Sequence, residues 1–510
     1  MRALISVYDK SGLEGLARGL AELGAELVAS GGTAAYLEEL GLEVTRVESL
    51  TEVPEMLGGR VKTLHPRVHA AILARPDRED DAEALATHGI EAFDLVCVNL
   101  YPFEQVAAQP GVREEEAVEM IDVGGPSMLR GAAKNFAHVT PLSRPEQYEA
   151  VLTELREGGH VSLETRRRLA ADAFAATARY EAAIAAWFAG REELPEALTL
   201  SFEKVLDLAY GENPHQRAAY YAETRARRHL LSRVEQLHGR ELSFNNLNDL
   251  NGAVLLAREF ALPACVIVKH ANPCGVAAAA TIDEAYARAL AGDPVSAYGG
   301  IVVLNRPVTA ELGAALADQF VEVLLAPGYD EAALARLREK PALRILGDGE
   351  RRGWEPGELD LKRTLGGLLV QSRDWQIEDR EGMEVVCGEP DEEQWGDLLF
   401  AWRVCKHVAS NAIVLAKGLQ TIGIGAGQMS RVDAVRLAVE KAREHGHDAT
   451  GAALASDAFF PFADGPELAL DAGVGAIVQP GGSKRDGEVI AAVSDAGAAM
   501  VFTHRRHFRH

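Results

Sequence analysis

Residues 1–33 read MRALISVYDKSGLEGLARGLAELGAELVASGGT. An apolar run at 3–7 gives way to a helical pattern over 11–23, then to a second apolar run at 26–29. Short buried strands alternating with amphipathic helices predict a largely parallel sheet with crossover connections, so the chain opens as an α/β fold. The rhythm returns at 95–100 and, in the second half, at 265–268, 300–304, 476–478 and 499–502, each predicted as a buried strand. Between the halves, an alanine-rich helical pattern over 165–188 ends in Gly190-Arg191-Glu192-Glu193-Leu194-Pro195, polar and closed by proline. A boundary there predicts domains 1–197 and 198–510. The charge-dense stretch 346–361 reads as a surface excursion between two similar α/β layers of the second domain.

At 510 residues the chain exceeds what one core supports, about 250–300 residues. Its 47% hydrophobic and 25% charged residues are those of an ordinary globular protein. A net charge of −24 repels nucleic acid and anionic lipid, so neither is an expected partner and any phosphate-binding cations must be gathered in pockets. Five scattered cysteines argue against a disulfide framework and for a reducing compartment. With no 18-residue apolar span, signal-peptide core or lipidation motif, a cytoplasmic protein is expected.

In the first half, Ser6 lies within the first strand-like run, Lys10-Ser11 leads into a helix, and Ser30-Gly31-Gly32-Thr33 stands between the next run and its helix. Both places put hydroxyls and backbone N–H groups at helix N-termini, where an anion is stabilised. Such residues are as often simple caps, but two such turns in one sheet favour a phosphate. Gly58-Gly59-Arg60-Val61-Lys62-Thr63 combines close backbone approach with two cations at alternate positions, against the plainer reading of a solvated basic turn. Asn99 and Tyr101 fall at the carboxyl end of a strand, where open α/β sheets bind ligands. Asp122-Val123-Gly124-Gly125 precedes a helix carrying Arg130 and Lys134, four apart on one face.

Taken in order, these motifs resemble the cyclohydrolase half of the bifunctional purine-synthesis enzymes, a doubly wound parallel sheet of the methylglyoxal-synthase-like type over about residues 1–145 with a helical extension. The resemblance implies nucleotide binding by Ser6, Lys10, Ser11, Ser30, Gly31, Gly32, Thr33, Arg60, Thr63, Asn99 and Gly124. Lys62, Tyr101, Asp122 and Lys134 would surround the reacting atoms. In that chemistry a carboxamide nitrogen attacks a formamide carbon, and the tetrahedral oxyanion departs as water. Lys62 would be the main oxyanion donor, such a donor contributing about 2.7–4 kcal/mol. Proton relay through Asp122, Lys134 and Tyr101 adds roughly a hundred- to ten-thousandfold.

The second half opens with Tyr210-Gly211-Glu212-Asn213-Pro214-His215, followed by Leu242-Ser243-Phe244-Asn245-Asn246-Leu247-Asn248-Asp249. The strand at 265–268 then delivers Lys269-His270-Ala271-Asn272-Pro273-Cys274-Gly275. A lone histidine is more often structural, but this one follows a lysine at a strand end and precedes a predicted Pro-Cys-Gly turn. Zinc nucleobase deaminases use His-x-Glu with Pro-Cys-x-x-Cys; here Asn272 and Ala277 stand where the glutamate and second cysteine belong, so no metal site is completed. The run Gly423-Ile424-Gly425-Ala426-Gly427 is only a weak dinucleotide signal, lacking the acidic strand end that completes it. A basic tail, His504-Arg505-Arg506-His507-Phe508-Arg509-His510, follows the last strand closely enough to close a phosphate pocket.

Together these segments resemble, over residues 200–510, the folate-dependent transformylase half of the same enzymes, with two cytidine-deaminase-like α/β/α subdomains. The resemblance implies that Lys269 and His270 assist proton removal from the 5-amino group of aminoimidazole carboxamide ribonucleotide (AICAR) as it attacks the formyl carbon of 10-formyltetrahydrofolate, and that Asn411 orients the formyl group. Tyr210, Gly211, Tyr298, Gly299, Glu322, Arg431, Phe459 and Arg506 would line the nucleotide and folate sites. The formylated product (FAICAR) then closes to inosine monophosphate (IMP), with no metal or redox cofactor, and the transformylase site is shared between subunits of a homodimer. Two positions depart from the family pattern: Ala209 stands where an arginine helps hold phosphate, and Tyr8 replaces a small hydroxyl residue. The first predicts a raised Michaelis constant unless Arg217 or Arg506 substitutes. The rival readings are a zinc deaminase, opposed by the missing ligands, and a non-catalytic phosphate sensor, opposed by Lys62, Asp122, Lys134, Lys269, His270 and Asn411 all being present.

Overall fold

The alternation at the start of the chain becomes a sheet of five parallel strands in the order β3-β2-β1-β4-β5: β1 (Arg2–Ser6), β2 (Glu26–Ala29), β3 (Thr45–Arg46), β4 (Leu95–Val98) and β5 (Thr140–Leu142). Because side chains alternate across a strand, Ala3 and Ile5 of β1 pack with Leu13, Leu16 and Val151 from helices Leu13–Glu22 and Tyr148–Gly158. Leu4 faces the other way, onto Val68, Met128 and Leu129 from helices Pro66–Leu73 and Gly124–Lys134. The sheet is doubly wound, and the chain leaves β1 in opposite directions toward β2 and, later, β4. Between the carboxyl ends of β1 and β4 lies the topological switch point, the usual ligand crevice of such sheets.

The computed structural model describes residues 1–54, 56–57, 60–190, 194–224, 229–349 and 358–510. Gly58 and Gly59, the 191–193 part of the predicted linker and the centre of the 346–361 stretch lie outside the described residues. The chain separates into two compact units, Met1–Phe202 with Glu223–Arg225, and Glu203–Ala222 with Ala226–His510. The alanine-rich helix runs Leu163–Phe188, beginning before the predicted 165 because Ser162 caps it, accepting from the Thr165 N–H at 3.2 Å. A two-stranded ribbon follows in the chain, β6 (Phe202–Leu208) with β7 (Ala218–Glu223).

The second unit contains two sheets of six strands each. The first, ordered β10-β9-β11-β12-β13-β8, is built from β8 (Val234–His238), β9 (Ala264–Lys269), β10 (Asn272–Ala278), β11 (Gly300–Leu304), β12 (Val321–Ala326) and β13 (Arg344–Asp348). A hairpin, β14 (Leu359–Thr364) and β15 (Gly367–Ser372), leads to the second. That sheet holds β16 (Glu384–Cys387), β17 (Ile413–Ala416), β18 (Thr421–Gly425), β19 (Ala453–Ser456), β20 (Ala476–Gln479) and β21 (Ala499–Phe502), ordered β18-β17-β19-β20-β21-β16. The two orders, and the parallel or antiparallel sense of each pairing, are the same topology twice.

One core runs between these sheets. Val266, Val268 and Val303 of the first and Val414, Ala455 and Val478 of the second share a cluster with Leu250 and Leu256 of helix Phe244–Ala257 and Leu398 and Trp402 of helix Glu392–Cys405. Outer helices cover each sheet's far face, where Ile267 and Leu324 meet Leu312, and Leu415 and Ile477 meet Val435. Two sequence expectations are corrected here. Leu346 is fully buried in β13 rather than opening a surface excursion. Pro273-Cys274-Gly275 is not a turn but bulged strand β10; the turn is His270-Ala271. A side chain on Gly275 would stand 2.1 Å from the Ala289 backbone carbonyl, so the glycine lets helix Ile282–Gly292 press directly on the bulged strand.

Candidate active sites

In the first unit the predicted groups converge on the switch point. Helix Gly31–Glu39 begins at Ser30 without using the Ser30 hydroxyl as a cap, and that oxygen lies 3.4 Å from the Ser6 Oγ. Thr33 Oγ1 accepts from the Val7 N–H at 3.2 Å, tying the two phosphate-type turns together, and Lys10 Nζ donates to Thr33 Oγ1 at 3.2 Å and to the Val7 carbonyl. Burial lowers the Lys10 ammonium, opposed by the neighbouring Asp9 charge. Ser11 is not a cap either; its hydroxyl donates to Asp9 Oδ1 at 2.6 Å. Lys62 reaches the same place. A side chain on Gly31, which has φ 49°, would come within 2.1 Å of the Lys62 Nζ. The second glycine-rich turn closes the other wall, since a side chain on Gly124 would stand 2.6 Å from Thr63 Oγ1.

Asp122 faces this wall. Its Oδ1 accepts from the Gly125 N–H at 2.7 Å, and Tyr180 Oη accepts from the Asp122 N–H at 2.8 Å while donating to the Met120 carbonyl. Burial pushes the Asp122 carboxyl above the usual carboxylate range, against the backbone N–H groups of Gly125 and Tyr101 that favour its charge. The ring of Tyr101 meets that of Tyr8 edge-on at 5.7 Å.

Three expected residues are placed otherwise. Asn99 spends its side chain on the loop, with Oδ1 accepting from the Tyr8 and Asp9 N–H groups at 2.6 and 3.0 Å and Nδ2 donating to the Asp9 carbonyl. Arg60 pairs with Glu119. Lys134 is exposed in the last turn of helix Gly124–Lys134, about 15 Å along the axis from Gly124 at the usual rise of roughly 1.5 Å per residue, while Asp122 lies just before the helix start. Arg130, on its face, stacks on Phe174.

The second unit assembles its residues from both sheets. Lys269 ends β9, and its Nζ donates to the Tyr298 carbonyl at 2.6 Å. His270 and Ala271 connect β9 to β10 with φ of 53° and 62°. Left-handed backbone costs an L-residue roughly 1–2 kcal/mol, and here two consecutive residues adopt it. Asp249 supports them: its Oδ2 accepts from the His270 N–H at 3.1 Å and its Oδ1 from the Ala271 N–H at 2.7 Å. Asp249 lies on helix Phe244–Ala257, whose capping box pairs Ser243 with Asn246. Asn246 Nδ2 also donates to Glu322 Oε2 at 3.0 Å. Burial raises the Asp249 carboxyl, while the Ala271 and His270 N–H groups oppose that rise.

Asn411 stands before β17 and reaches the same region through Asn272, whose Oδ1 accepts from the Ala409 N–H at 2.8 Å and whose Nδ2 donates to the His270 carbonyl at 3.3 Å. The Asn411 amide is itself engaged. Its Nδ2 donates to the Gln428 and Met429 carbonyls at 2.9 and 3.3 Å, and its Oδ1 accepts from Arg431 at 2.7 Å. Arg431 in turn pairs with buried Asp457 and donates to Ser456 Oγ at 2.7 Å. Tyr298 packs on Phe320 at 5.1 Å, and the Gly299 N–H donates to the Phe320 carbonyl at 2.7 Å with φ 74°. The Tyr210 carbonyl accepts from the Phe244 N–H at 3.1 Å, and the Gly211 N–H donates to the Gln216 carbonyl at 2.8 Å, joining that turn to the Asp249 helix. Phe459 is exposed beyond Asp457.

The basic tail returns to this unit, but Arg506 stacks on Phe508 at 4.5 Å while Arg509 donates to the His407 carbonyl. The Arg509 carbonyl accepts from the Ser410 N–H at 2.9 Å, beside Asn411. Asp249, Asn246, Asp457 and Arg509 all carry site geometry that their motifs did not announce. The one visible signal for Asp249 was its place three residues after Asn246 on a capped helix, which puts both on one face. Gly423 and Gly425 serve packing: a side chain on Gly425 would come within 1.9 Å of the Ala434 carbonyl of helix Arg431–Glu444. Among the described residues no group of three or more His, Cys, Asp or Glu side chains is placed to hold a metal ion.

Comparison with known proteins finds two family models along the chain, the second beginning within the first compact unit. A family model described as an MGS-like domain matches residues 12–127, and one described as the AICARFT/IMPCHase bienzyme matches residues 132–441. The bifunctional purine biosynthesis protein PurH of Acidithiobacillus ferrooxidans is 50% identical over 517 aligned residues, covering 100% of this chain and 99% of that protein. Its counterpart in Listeria innocua is 48% identical over 515, covering 100% of both, and that of Magnetococcus marinus 50% identical over 527, covering 100% and 99%. With both family models matched in order and about half of its residues shared along its entire length, the chain belongs to the AICARFT/IMPCHase bienzyme family.

Proposed function

We propose that the two activities of the family divide between the units, ring closure in the first and formyl transfer in the second, at the two centres described above. As a family member the chain is a bifunctional enzyme of purine biosynthesis, an AICAR formyltransferase and IMP cyclohydrolase that draws on a folate-derived co-substrate. We assign the formyl donor as 10-formyltetrahydrofolate. In the second unit the 5-amino nitrogen of AICAR attacks the formyl carbon while His270 takes the N–H proton. The tetrahedral intermediate collapses with cleavage of the bond to folate N10, which gains a proton and leaves as tetrahydrofolate. Lys269, anchored on the Tyr298 carbonyl, steadies the charge beside the base. Asn411 exchanges its longer donor contact, to Met429 at 3.3 Å, for the formyl oxygen.

In the first unit the carboxamide nitrogen of FAICAR attacks its formamide carbon. Lys62 faces the developing oxyanion, which takes up the carboxamide N–H proton, and the Ser6, Ser30 and Thr33 turns take the phosphate; Asp122, its carboxyl raised by burial, protonates the oxygen as it departs as water and recovers a proton from the formamide nitrogen as the C=N bond forms. Neither step calls for a metal. The observation that carries the reading is that Asn272 bonds both the His270 carbonyl on the first sheet and the Ala409 N–H, two residues before Asn411, ahead of the second.

The transformylase site is taken to be shared in a homodimer. Exposed Val295, Tyr298, Met429 and Phe462 border it and offer an apolar surface for a second copy. Five unpaired cysteines support a reducing cytoplasm. Supplying AICAR and 10-formyltetrahydrofolate, then following tetrahydrofolate release by absorbance and IMP by chromatography, tests both steps. Tetrahydrofolate without IMP would remove the ring-closing assignment, and light scattering at a monomer mass would remove the dimer.

A further inference from the structure

The hairpin that presents His270 is built against its own sequence. Lys269 of β9 pairs with Asn272 of β10, so the loop is the two residues His270 and Ala271, both at positive φ. Two-residue hairpins of that geometry favour Asn-Gly, Asp-Gly or Gly-Gly, because glycine reaches positive φ without steric cost. His-Ala has neither property, and the ordering must come from outside the hairpin.

We propose that Asp249 is a positioning residue for formyl transfer: by accepting from both loop N–H groups, at 3.1 and 2.7 Å, it holds the left-handed His270–Ala271 turn that aims the imidazole at the substrate amine. The proposal rests on His270 being the base. Asp249 acts from a helix, not from the loop, and its neighbours constrain it. Asn246, one turn earlier on the same helix, fixes Glu322 at 3.0 Å, and the Glu322 charge faces Asp249. Two carboxylates so close are tolerated because each accepts hydrogen bonds, from the loop N–H groups and from the Asn246 amide. The His270 imidazole is left exposed at the tip, in place to meet a ligand.

Asp249→Asn keeps the size of the side chain but replaces one accepting oxygen with an NH2 group that opposes a loop N–H. A displacement of about 1 Å in a catalytic group costs roughly a hundredfold. The transformylase kcat of Asp249→Asn is therefore expected to fall about a hundredfold, with the KM for AICAR changed less than threefold and the cyclohydrolase rate on added FAICAR unchanged. Ala271→Gly, which removes one of the two steric conflicts, is expected to restore at least tenfold of the loss when combined with Asp249→Asn. It should leave the otherwise unchanged enzyme within twofold. A merely structural carboxylate would not be rescued by a glycine in the loop.

His270→Ala is measured alongside. If it retains transformylase activity, the base assignment itself fails. If His270→Ala is inactive while Asp249→Asn turns over normally, or the double variant gains nothing, the positioning role is overturned. Should Asp249→Asn not fold, Asp249→Glu, which shifts the carboxylate by one methylene, reads the same quantity; unchanged kcat there also overturns the proposal.

Discussion

At the scale of single residues, the division of labour between the two centres is the first thing to test. His270→Ala is expected to lower transformylase kcat by roughly a hundred- to ten-thousandfold while FAICAR is still cyclised at the normal rate. Lys62→Ala should do the reverse, slowing cyclisation roughly a hundred- to thousandfold and leaving tetrahydrofolate release intact; equal damage to both rates in either variant would contradict separate centres. Ala209 donates its N–H to the Leu242 carbonyl but offers no cation beside Tyr210, so Ala209→Arg is expected to lower the KM for AICAR, an effect read directly from initial rates. Among the proposed site residues, Ser30, Thr33, Lys62, Asp122 and His270 stand out from their motifs, since they lie in short runs that combine glycines, hydroxyls and cations. What the motifs did not convey was the present engagement of each side chain. Asn99 turned out to brace a loop, Arg60 to meet Glu119 and Asn411 to sit in a network with Arg431, because those partners come from segments far away in sequence. Asp249 escaped notice for the same reason: its role is defined by a hairpin 21 residues onward.

Among the elements, strands were the most readable. Residues 26–29, 300–304 and 499–502 form strands with the bounds their apolar runs predicted, as expected for segments buried on both faces. The Pro-Cys-Gly segment was misread because proline and glycine usually punctuate a turn, whereas here Gly275 admits a helix backbone against β10. The pair Gly423 and Gly425 do the same for β18 and helix Arg431–Glu444, where a side chain would approach the Ala438 and Ala434 carbonyls at 2.1 and 1.9 Å. Gly425→Ala is accordingly expected to destabilise the second unit by about 1–3 kcal/mol, seen as a lower denaturant midpoint; an unchanged midpoint would mean the helix moves aside freely. Because Arg431 begins that helix and holds Asn411, the same variant should also reduce formyl transfer more than cyclisation.

Across the whole molecule, pH dependence is expected to centre on the tail. Buried His507 lies between Asp374 and Glu378, with Arg505 paired to Glu378 and the Trp402 indole donating to it at 3.0 Å. Burial acts to lower the His507 imidazole, but the bonds to Asp374 and Glu378 outweigh it and leave it raised. Glu378 is pulled down to about 2: burial works against this, and the bonds from His507 and Trp402 prevail. The histidine contribution is therefore complete below its unfolded value near 6.5 and fades as pH rises through the higher folded value. The glutamate contribution is complete above about 4.3 and fades as pH falls toward 2. Thermal midpoints should thus decline from pH 6 to pH 9 in the natural protein and decline less in His507→Gln; parallel curves would show that the tail contributes nothing. The repeated topology of the second unit has a further meaning. Two sheets of identical strand order share one inner layer of helices, yet the two copies differ at the proposed centre, since one carries His270 at a strand end and the other Asn411 before a strand. If the proposed roles hold, each half keeps a whole architecture but only part of a reaction, so exchanging either for a second copy of its twin is expected to abolish formyl transfer.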